Sequence, residues 1–585
     1  MGLYTDERNA QIIIKLLKDN NIRKIVASPG TTNASFVASL QGDSFFELYS
    51  APEERVGAYI ACGMAAESGE AVVLTCTGAT ASRNYMPGLT EAYYRKLPIL
   101  VITSSRRSAF IGHNIDQVTD RTVLPKDVAN ISVQMPIVHD EISEWQCIIA
   151  ANKAILELFH RGGGPAHINL ETIYSRNSVN EIPPVRCIKR YVYGDTLPVI
   201  DKDKRIAIMV GNHHLWTEEL LEAVDRFCSS HDAVVLCDHT SNYYGKYRVF
   251  ASLLSNQAHW RACFQNVDIL IHIGEVSSSD FNINTKQVWR VNPDGELKDT
   301  FRKLKYVFEF EEVDFFRSYI TENTEQIGFY RECMEEYRAV YENIPEIPFS
   351  NLWMASVTAR KLPDHAVLHL GIRNSLRTWN YFDTSKTVTA FSNTGGFGID
   401  GSISTVVGAA LSNPSKIYFC VLGDLAFFYD ISVFGNRHFP TNIRLLVVNN
   451  NIGLEMRGRF TLGHKIAEGL KVDETQYIAA GGHYGQGNQV VKNMVESFGC
   501  KYISASNKDE FTQQIEYFVS NRMYDKAIVF ETFVTVEDEE NAIESVENLV
   551  GDNLKGVKST VKKLIGETTY DSLKKNLKKA LKRTI

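Results

Sequence analysis

Apolar runs and polar breaks alternate along this chain with the spacing of strands and helices. The clearest stretch is Tyr418 to Leu454. Its first run, Tyr-Phe-Cys-Val-Leu, stops at Gly423-Asp424. Its second, Ile-Arg-Leu-Leu-Val-Val from Ile443, stops at Asn449-Asn450-Asn451. Short runs this rich in aliphatic and aromatic residues read as strands buried on both faces. The apolar patch between them suits a helix, so the stretch predicts a strand-helix-strand unit. A right-handed crossover brings both polar ends to one edge of a parallel sheet, where ligands bind.

The same alternation fills three blocks. In the first, helical spacing over Glu7–Asn20 is followed by a strand at Lys24–Ser28 that ends at Pro29-Gly30. A strand at Phe45–Leu48 leads to a helix over Val56–Gly69, whose small residues permit close approach to a neighbour. Then come a strand at Ala71–Thr75, a tight turn at Thr77–Thr80, a helix over Ser82–Tyr94 and a strand at Leu97–Thr103. Beyond the linker Glu181-Ile182-Pro183-Pro184, strands are predicted at Arg205–Gly211, Asp232–Cys237, Val267–Gly274 and Gln287–Val291. A helix over Glu218–Ser229 lies among them, and another over Thr321–Asn343 leads to the third block. That block opens with a strand at Ala366–Leu370 and contains the Tyr418–Leu454 unit. The pattern predicts an α/β protein of three doubly wound parallel-sheet domains, 1–182, 185–343 and 345–536. In the remainder, 537–585, residues 537–547 read as an acidic run, a solvated linker or a helix, and the chain to 585 as a basic amphipathic helical tail.

Composition narrows the classes. The length of 585 residues exceeds what one core fills. A net charge of -7 gives no case for nucleic acid. Ten cysteines without a Cys-x-x-Cys pair point to a reducing cytoplasm and away from structural zinc. The first residues carry no basic and apolar leader, and no apolar run reaches the length of a membrane span. A cytoplasmic protein is expected. In the tail, Leu573, Leu577 and Leu581 share one helix face among lysines. It reads as a helix packed on the body or a sister subunit, with a membrane surface as the second reading. The middle block has no Gly-x-Gly-x-x-Gly, so no nucleotide or flavin is assigned there.

The candidate chemistry sits at the strand ends. Asp424 offers a hard anionic oxygen. The Asn450 amide and the Ile452 carbonyl add neutral ones, a set suited to Mg²⁺ carrying a phosphate. Amides around Leu425 and Ala426, after Gly423, would face the phosphate. Gly-Asp, some two dozen residues, then Asn-Asn resembles the diphosphate anchor of thiamine-diphosphate enzymes. The variant Gly-Asp-Leu, with Asp430 and Asn-Asn-Asn, looks most like the menaquinone-pathway synthase branch of that superfamily.

Three further motifs carry the resemblance. Pro52-Glu53-Glu54-Arg55-Val56-Gly57 precedes a small-residue helix, and Thr75-x-Thr-Gly-Ala-Thr-Ala-x-x-Asn84 follows it. Together they are similar to the superfamily's pyrimidine-binding domain. Ser28-Pro-Gly-Thr-Thr-Asn33 and Ser392-Asn-Thr-Gly-Gly-Phe-Gly-Ile-Asp-Gly401 look like runs of the synthase branch. Taken alone, Glu54 is an ordinary helix-start carboxylate. The resemblance implies that it shares a proton with the cofactor's aminopyrimidine ring, with Asn84 beside it. It further implies that Ile399 props the bent cofactor and that Arg106 and Gln117 face the substrate. His113 is a candidate proton shuttle. Ser375, after Asn374, would meet phosphate or a substrate carboxylate, or simply cap a helix.

The resemblance thus implies thiamine diphosphate and Mg²⁺ as cofactors, bound between the chains of a homodimer or homotetramer. The implied reaction decarboxylates a 2-oxo acid and passes the acyl unit to a carbonyl or enone acceptor. The alternatives are a non-ligating decarboxylase of the phosphonopyruvate kind and a non-catalytic scaffold. Two positions depart from the branch: Thr32 and Thr394 stand where it has arginines that fork carboxylates. Isochorismate is therefore not the expected acceptor.

Overall fold

Strands buried on both faces need helices above and below them, and the apolar runs of this chain are covered in that way. The computed structural model describes residues 3–213, 216–321, 326–459, 461–483, 487 and 489–550. Its contacts fall into two units, residues 1–197 with 294–309, and 198–293 with 310 onward. The basic tail lies outside the described residues.

In the first unit, α1 (Arg8–Asp19) buries Ile12, Ile13, Leu16 and Leu17. Six strands form its sheet: β1 (Lys24–Ala27), β2 (Glu47–Ser50), β3 (Val72–Thr77), β4 (Ile99–Ser105), β5 (Ile131–Met135) and β6 (Ala166–Glu171). The order is β2-β1-β3-β4-β6-β5, parallel throughout. Helix α2 (Glu54–Ser68) begins two residues before the apolar pattern places it. Glu53 causes this by capping, its carboxylate accepting from Arg55 N at 3.3 Å and Val56 N at 2.8 Å. A methyl group at Gly88, in α3 (Met86–Tyr94), would stand 2.4 Å from Ala58 Cβ, so α2 and α3 touch through small residues. The predicted turn at 77–80 is partly helical. Ala79 takes a left-handed φ of 55° at the head of a short helix, Ala79–Asn84. Pro87 lacks an N–H, and Ala79–Asn84 and α3 are separate where one helix over 82–94 was expected. The Pro183-Pro184 stretch is not where the unit ends. Lys189–Tyr191 pairs in parallel with Leu304–Phe308, and Arg186 Nη1 meets the buried Asp299 Oδ2 at 2.7 Å.

The second unit holds two sheets. One comprises β7 (Ile206–Val210), β8 (Val234–Cys237), β9 (Arg248–Phe250), β10 (Asn266–Ile273) and β11 (Asn284–Val291). Its order, β9-β8-β7-β10-β11, is that of dinucleotide-binding sheets. The turn after β7 lacks the glycine fingerprint, and a Cβ on Gly211 would sit 2.0 Å from Glu275 O. The helix expected over 321–343 runs only from Gly328 to Tyr341, after a separate one over Glu312–Ser318. The other sheet holds β12 (Val367–Leu370), β13 (Thr389–Phe391), β14 (Tyr418–Gly423), β15 (Ile443–Asn449), β16 (Lys501–Ala505) and β17 (Ile528–Phe533). Helix α4 (Asn374–Trp379) follows β12, α5 (Ser402–Ser412) follows β13 and α6 (Asp424–Tyr429) follows β14. The order β13-β12-β14-β15-β17-β16 repeats that of the first unit strand for strand.

The acidic run after Val536 is not a solvated linker. It forms α7 (Val536–Glu547), which is built into the second unit. Buried Glu539 accepts from Asn351 N at 2.7 Å, and Gln257 Nε2 donates to Val546 O at 2.8 Å.

Two strand histidines are buried without charge. His167 is held by Thr103 Oγ1 and Ser132 Oγ at 2.8 Å each, and burial pulls its pKa down to about 3. Burial pulls His369 down to about 4. A depressed folded pKa gives stability that is full above the unfolded value of about 6.5 and is lost as pH falls through it. Each histidine should therefore cost about 1.4 kcal/mol of stability per pH unit between 6 and 4. Urea titrations of wild type and of His167→Asn and His369→Asn test this, the variants showing the shallower acid slope.

Candidate cofactor and active site

A parallel sheet sends all its strand carboxyl ends to one edge. In the third sheet that edge gathers Asn374-Ser375 after β12, Ile399 after β13, Asp424 after β14 and Asn450 after β15. In the first sheet it gathers Glu54 after β2 and Asn84 after β3. These two groups of residues fall one in each unit.

Asp424 is the first residue of α6 and only 4% exposed. Burial pushes its pKa up to about 7; main-chain N–H groups of Leu425 and Asn451 offset this in part, and Glu531 adds to it. Glu531 is itself buried on β17, accepting from Asn449 Nδ2 at 2.7 Å and Tyr502 OH at 2.8 Å. Sequence reasoning passed over Glu531, whose only signal was one carboxylate inside the apolar run Ile-Val-Phe-Glu-Thr-Phe. Asn451 turns the chain with a φ of 57°, and Asn450 Oδ1 accepts from Ile452 N at 3.2 Å. That amide oxygen keeps a second lone pair. At Gly423 a side chain would meet nothing nearer than Val448 O at 3.9 Å, which leaves open space over the strand end. Leu425 lies against Gly453, and Ala426 is buried in the core beneath.

These residues fit a hard cation. A carboxylate raised by burial, with a second carboxylate below it and amide oxygens beside it, gains most from a divalent charge. Oxygen donors such as these suit Mg²⁺ better than zinc; among the described residues no cluster of three His, Cys, Asp or Glu side chains is found.

Other predicted residues at this edge have partners already. Ser375 Oγ lies 3.4 Å from Asn351 Nδ2, and Asn374 Nδ2 reaches Glu539 Oε2 at 3.5 Å. Ile399 is half-buried against the core of the third sheet. Asp430 caps α5 by accepting from Ser404 N at 2.6 Å.

In the first unit, Glu54 Oε2 accepts from Asn84 Nδ2 at 3.1 Å. Glu53, the alternative, is committed to the helix cap. Arg106 is paired with Asp116 at 2.9 Å and with Tyr174 OH at 2.8 Å. His113 and Gln117 lie exposed on the following loop, Gln117 with a φ of 58°.

Residues 8–124 match the family described as thiamine pyrophosphate enzyme, N-terminal TPP binding domain. This match and the relatives below support a thiamine-diphosphate-dependent superfamily member near one branch. The 2-succinyl-5-enolpyruvyl-6-hydroxy-3-cyclohexene-1-carboxylate synthase of Phocaeicola vulgatus is 28% identical, over 92% of this chain and 97% of its own. The synthase of the same name from Bacteroides thetaiotaomicron is 28% identical over 91% and 96%, and that from Christiangramia forsetii 25% over 91% and 97%. A solved thiamine diphosphate-dependent 4-hydroxybenzoylformate decarboxylase of Rhodococcus jostii RHA1 is 14% identical over 90% of this chain and 99% of its own. Its TM-score of 0.39 is too low to speak to the fold. No helix among the described residues is long and apolar enough to cross a membrane.

Asp424→Asn separates the two costs at this site. The raised pKa means that folding disfavours the carboxylate, a cost absent below pH 4 and complete above pH 7. Without cofactor at pH 8, the amide should raise the apparent melting temperature by a few degrees. Calorimetric titration with Mg²⁺ and thiamine diphosphate should show binding weakened at least about 100-fold. A lower melting point together with intact binding would take Asp424 out of the metal site.

Proposed function

We propose that this chain decarboxylates a 2-oxo acid and joins the acyl unit to a carbonyl or enone acceptor, using thiamine diphosphate and Mg²⁺. The observation that carries this is Asp424, a buried carboxylate at a strand end whose pKa burial pushes up to about 7. When bound, the cofactor supplies a carbon nucleophile and an electron sink for the loss of CO₂. The C1–C2 bond of the 2-oxo acid breaks, C2 bonds to the acceptor carbon, and the acceptor takes up one proton. No redox partner is needed.

The side chains have separate tasks. Asp424, Asn450 and the Ile452 carbonyl would hold Mg²⁺, and the main chain from Gly423 to Ala426 would meet the diphosphate. Asn84 fixes Oε2 of Glu54, which leaves Oε1 to hold a proton against the aminopyrimidine nitrogen. Ile399 sets the cofactor's bend. Arg106 and Gln117 orient the 2-oxo acid, and His113 carries protons to the acceptor oxygen.

The acceptor differs from that of the synthase branch. Thr32 Oγ1 donates to Ser104 O at 2.8 Å, and Thr394 Oγ1 accepts from Asn212 Nδ2 at 2.8 Å. Neither hydroxyl replaces a guanidinium fork. Two copies of the chain complete each site. Beyond Glu54, α2 presents Val56, Tyr59 and Ile60, which are 50%, 48% and 40% exposed, beside Gly63, where a Cβ would meet nothing. An apolar face of this kind at the head of a catalytic helix suits a second copy.

Glu54→Gln should lower the rate of CO₂ release about 10²-fold or more while cofactor affinity moves less than tenfold. Carbon dioxide evolution from a 2-oxo acid panel, beside titration of cofactor binding, reads both. Equal rates in variant and wild type would remove Glu54 from catalysis. Ile60→Glu should shift the oligomer to monomer in light scattering and take activity with it; a monomer that keeps full turnover contradicts the shared site.

A further inference from the structure

A cavity of about 350 Å³ opens at the carboxyl edge of the third sheet, inside the second unit. Arg373 and Asn374, after β12, and Leu454 and Glu455, after β15, form one wall, so it neighbours the strands that carry Asp424 and Asn450. Helix α7 roofs it with Glu540, Glu544 and Glu547. The size suits a small molecule and not a nucleotide conjugate.

Its charges are already matched. Three guanidiniums, of Arg373, Arg377 and Arg459, meet four carboxylates. Glu455 lies 3.6 Å from Arg373 Nη1 and 3.2 Å from Arg377 Nη2. Arg459 meets Glu540 at 3.0 Å and Glu544 at 3.3 Å, and Glu540 is held a second time by Arg459 N at 2.8 Å. Glu547 accepts from Tyr381 OH at 2.5 Å. With three guanidiniums against four carboxylates the lining carries a net negative charge, which disfavours an anionic ligand. An uncharged hydroxyl both donates and accepts, and it can join such a pair without breaking it. Asn256, Asn380, Ser278 and Thr461 continue the alternation of donors and acceptors, and Phe397 adds one aromatic face, with the Arg373 guanidinium 5.7 Å from its ring.

We infer that this cavity is the acceptor site and that the acceptor is an uncharged polyhydroxylated aldehyde or ketone of monosaccharide size. This deepens the carboligase reading and rests on it for the word acceptor. Helix α7 is then a wall of the site, held by Glu539 and Glu547.

Matched probes test it on the full chain loaded with thiamine diphosphate and Mg²⁺. Binding of D-ribose and of D-ribose 5-phosphate is measured by ligand-observed NMR, apart from any turnover. Wild type should favour the uncharged sugar at least tenfold. Glu455→Gln, which releases Arg373 and Arg377, should shift that ratio at least tenfold toward the phosphate. Glu544→Gln, a half-exposed change on α7, should move it the same way through Arg459. Preference of wild type for the phosphate, binding of neither sugar, or a ratio unmoved by both variants overturns the inference. CO₂ release from 2-oxo acids without acceptor is recorded alongside. Release with no sugar bound sinks the acceptor site alone; sugar bound with no release from any 2-oxo acid sinks the carboligase reading alone.

Discussion

A carboxylate is held out of water at a strand end of the third sheet. Asp424 is almost fully buried, and burial pushes its pKa up to about 7. Glu531 beneath it makes the negative charge harder still to hold. A fold selected for stability alone would place an amide there. Retaining the acid makes sense when a divalent ion joins it, because the ion reverses the local electrostatics.

The surrounding architecture delivers that carboxylate to a useful place. Parallel pairing aligns the carboxyl ends of β12, β13, β14 and β15, so residues distant in sequence share one edge. The first sheet repeats the same strand order and places Glu54 and Asn84 at its own corresponding edge. One topology thus places a carboxylate at a helix head in each sheet, Glu54 in one and Asp424 in the other. The difference lies in the loops and not in the sheets.

Charge matching recurs away from the metal seat. Where the synthase branch has arginines, this chain has threonines already bonded to its own backbone or side chains. Where arginines do occur at the cavity, glutamates neutralise them. On the proposed reading, both features disfavour a multiply charged acceptor.

The sequence by itself determined the kind of fold and the two anchor motifs. Apolar runs of strand length report burial on both faces directly, and Gly423-Asp424 with Asn449-Asn450-Asn451 marks strand ends whatever the packing. It also singled out Glu54 over Glu53 by the neighbouring arginine; in the fold Glu53 caps the helix. Tertiary structure alone decided what depends on distant pairing. Lys189–Tyr191 joins a strand more than a hundred residues away, so the proline linker does not close the first unit. The acidic run after Val536 looks solvated by charge count, yet Glu539 is buried because the N–H of Asn351 needs its oxygen. Glu531 beneath Asp424 and the paired guanidiniums of the cavity were equally hidden. Local pattern records how a residue meets water; only the folded chain sets which charge faces which.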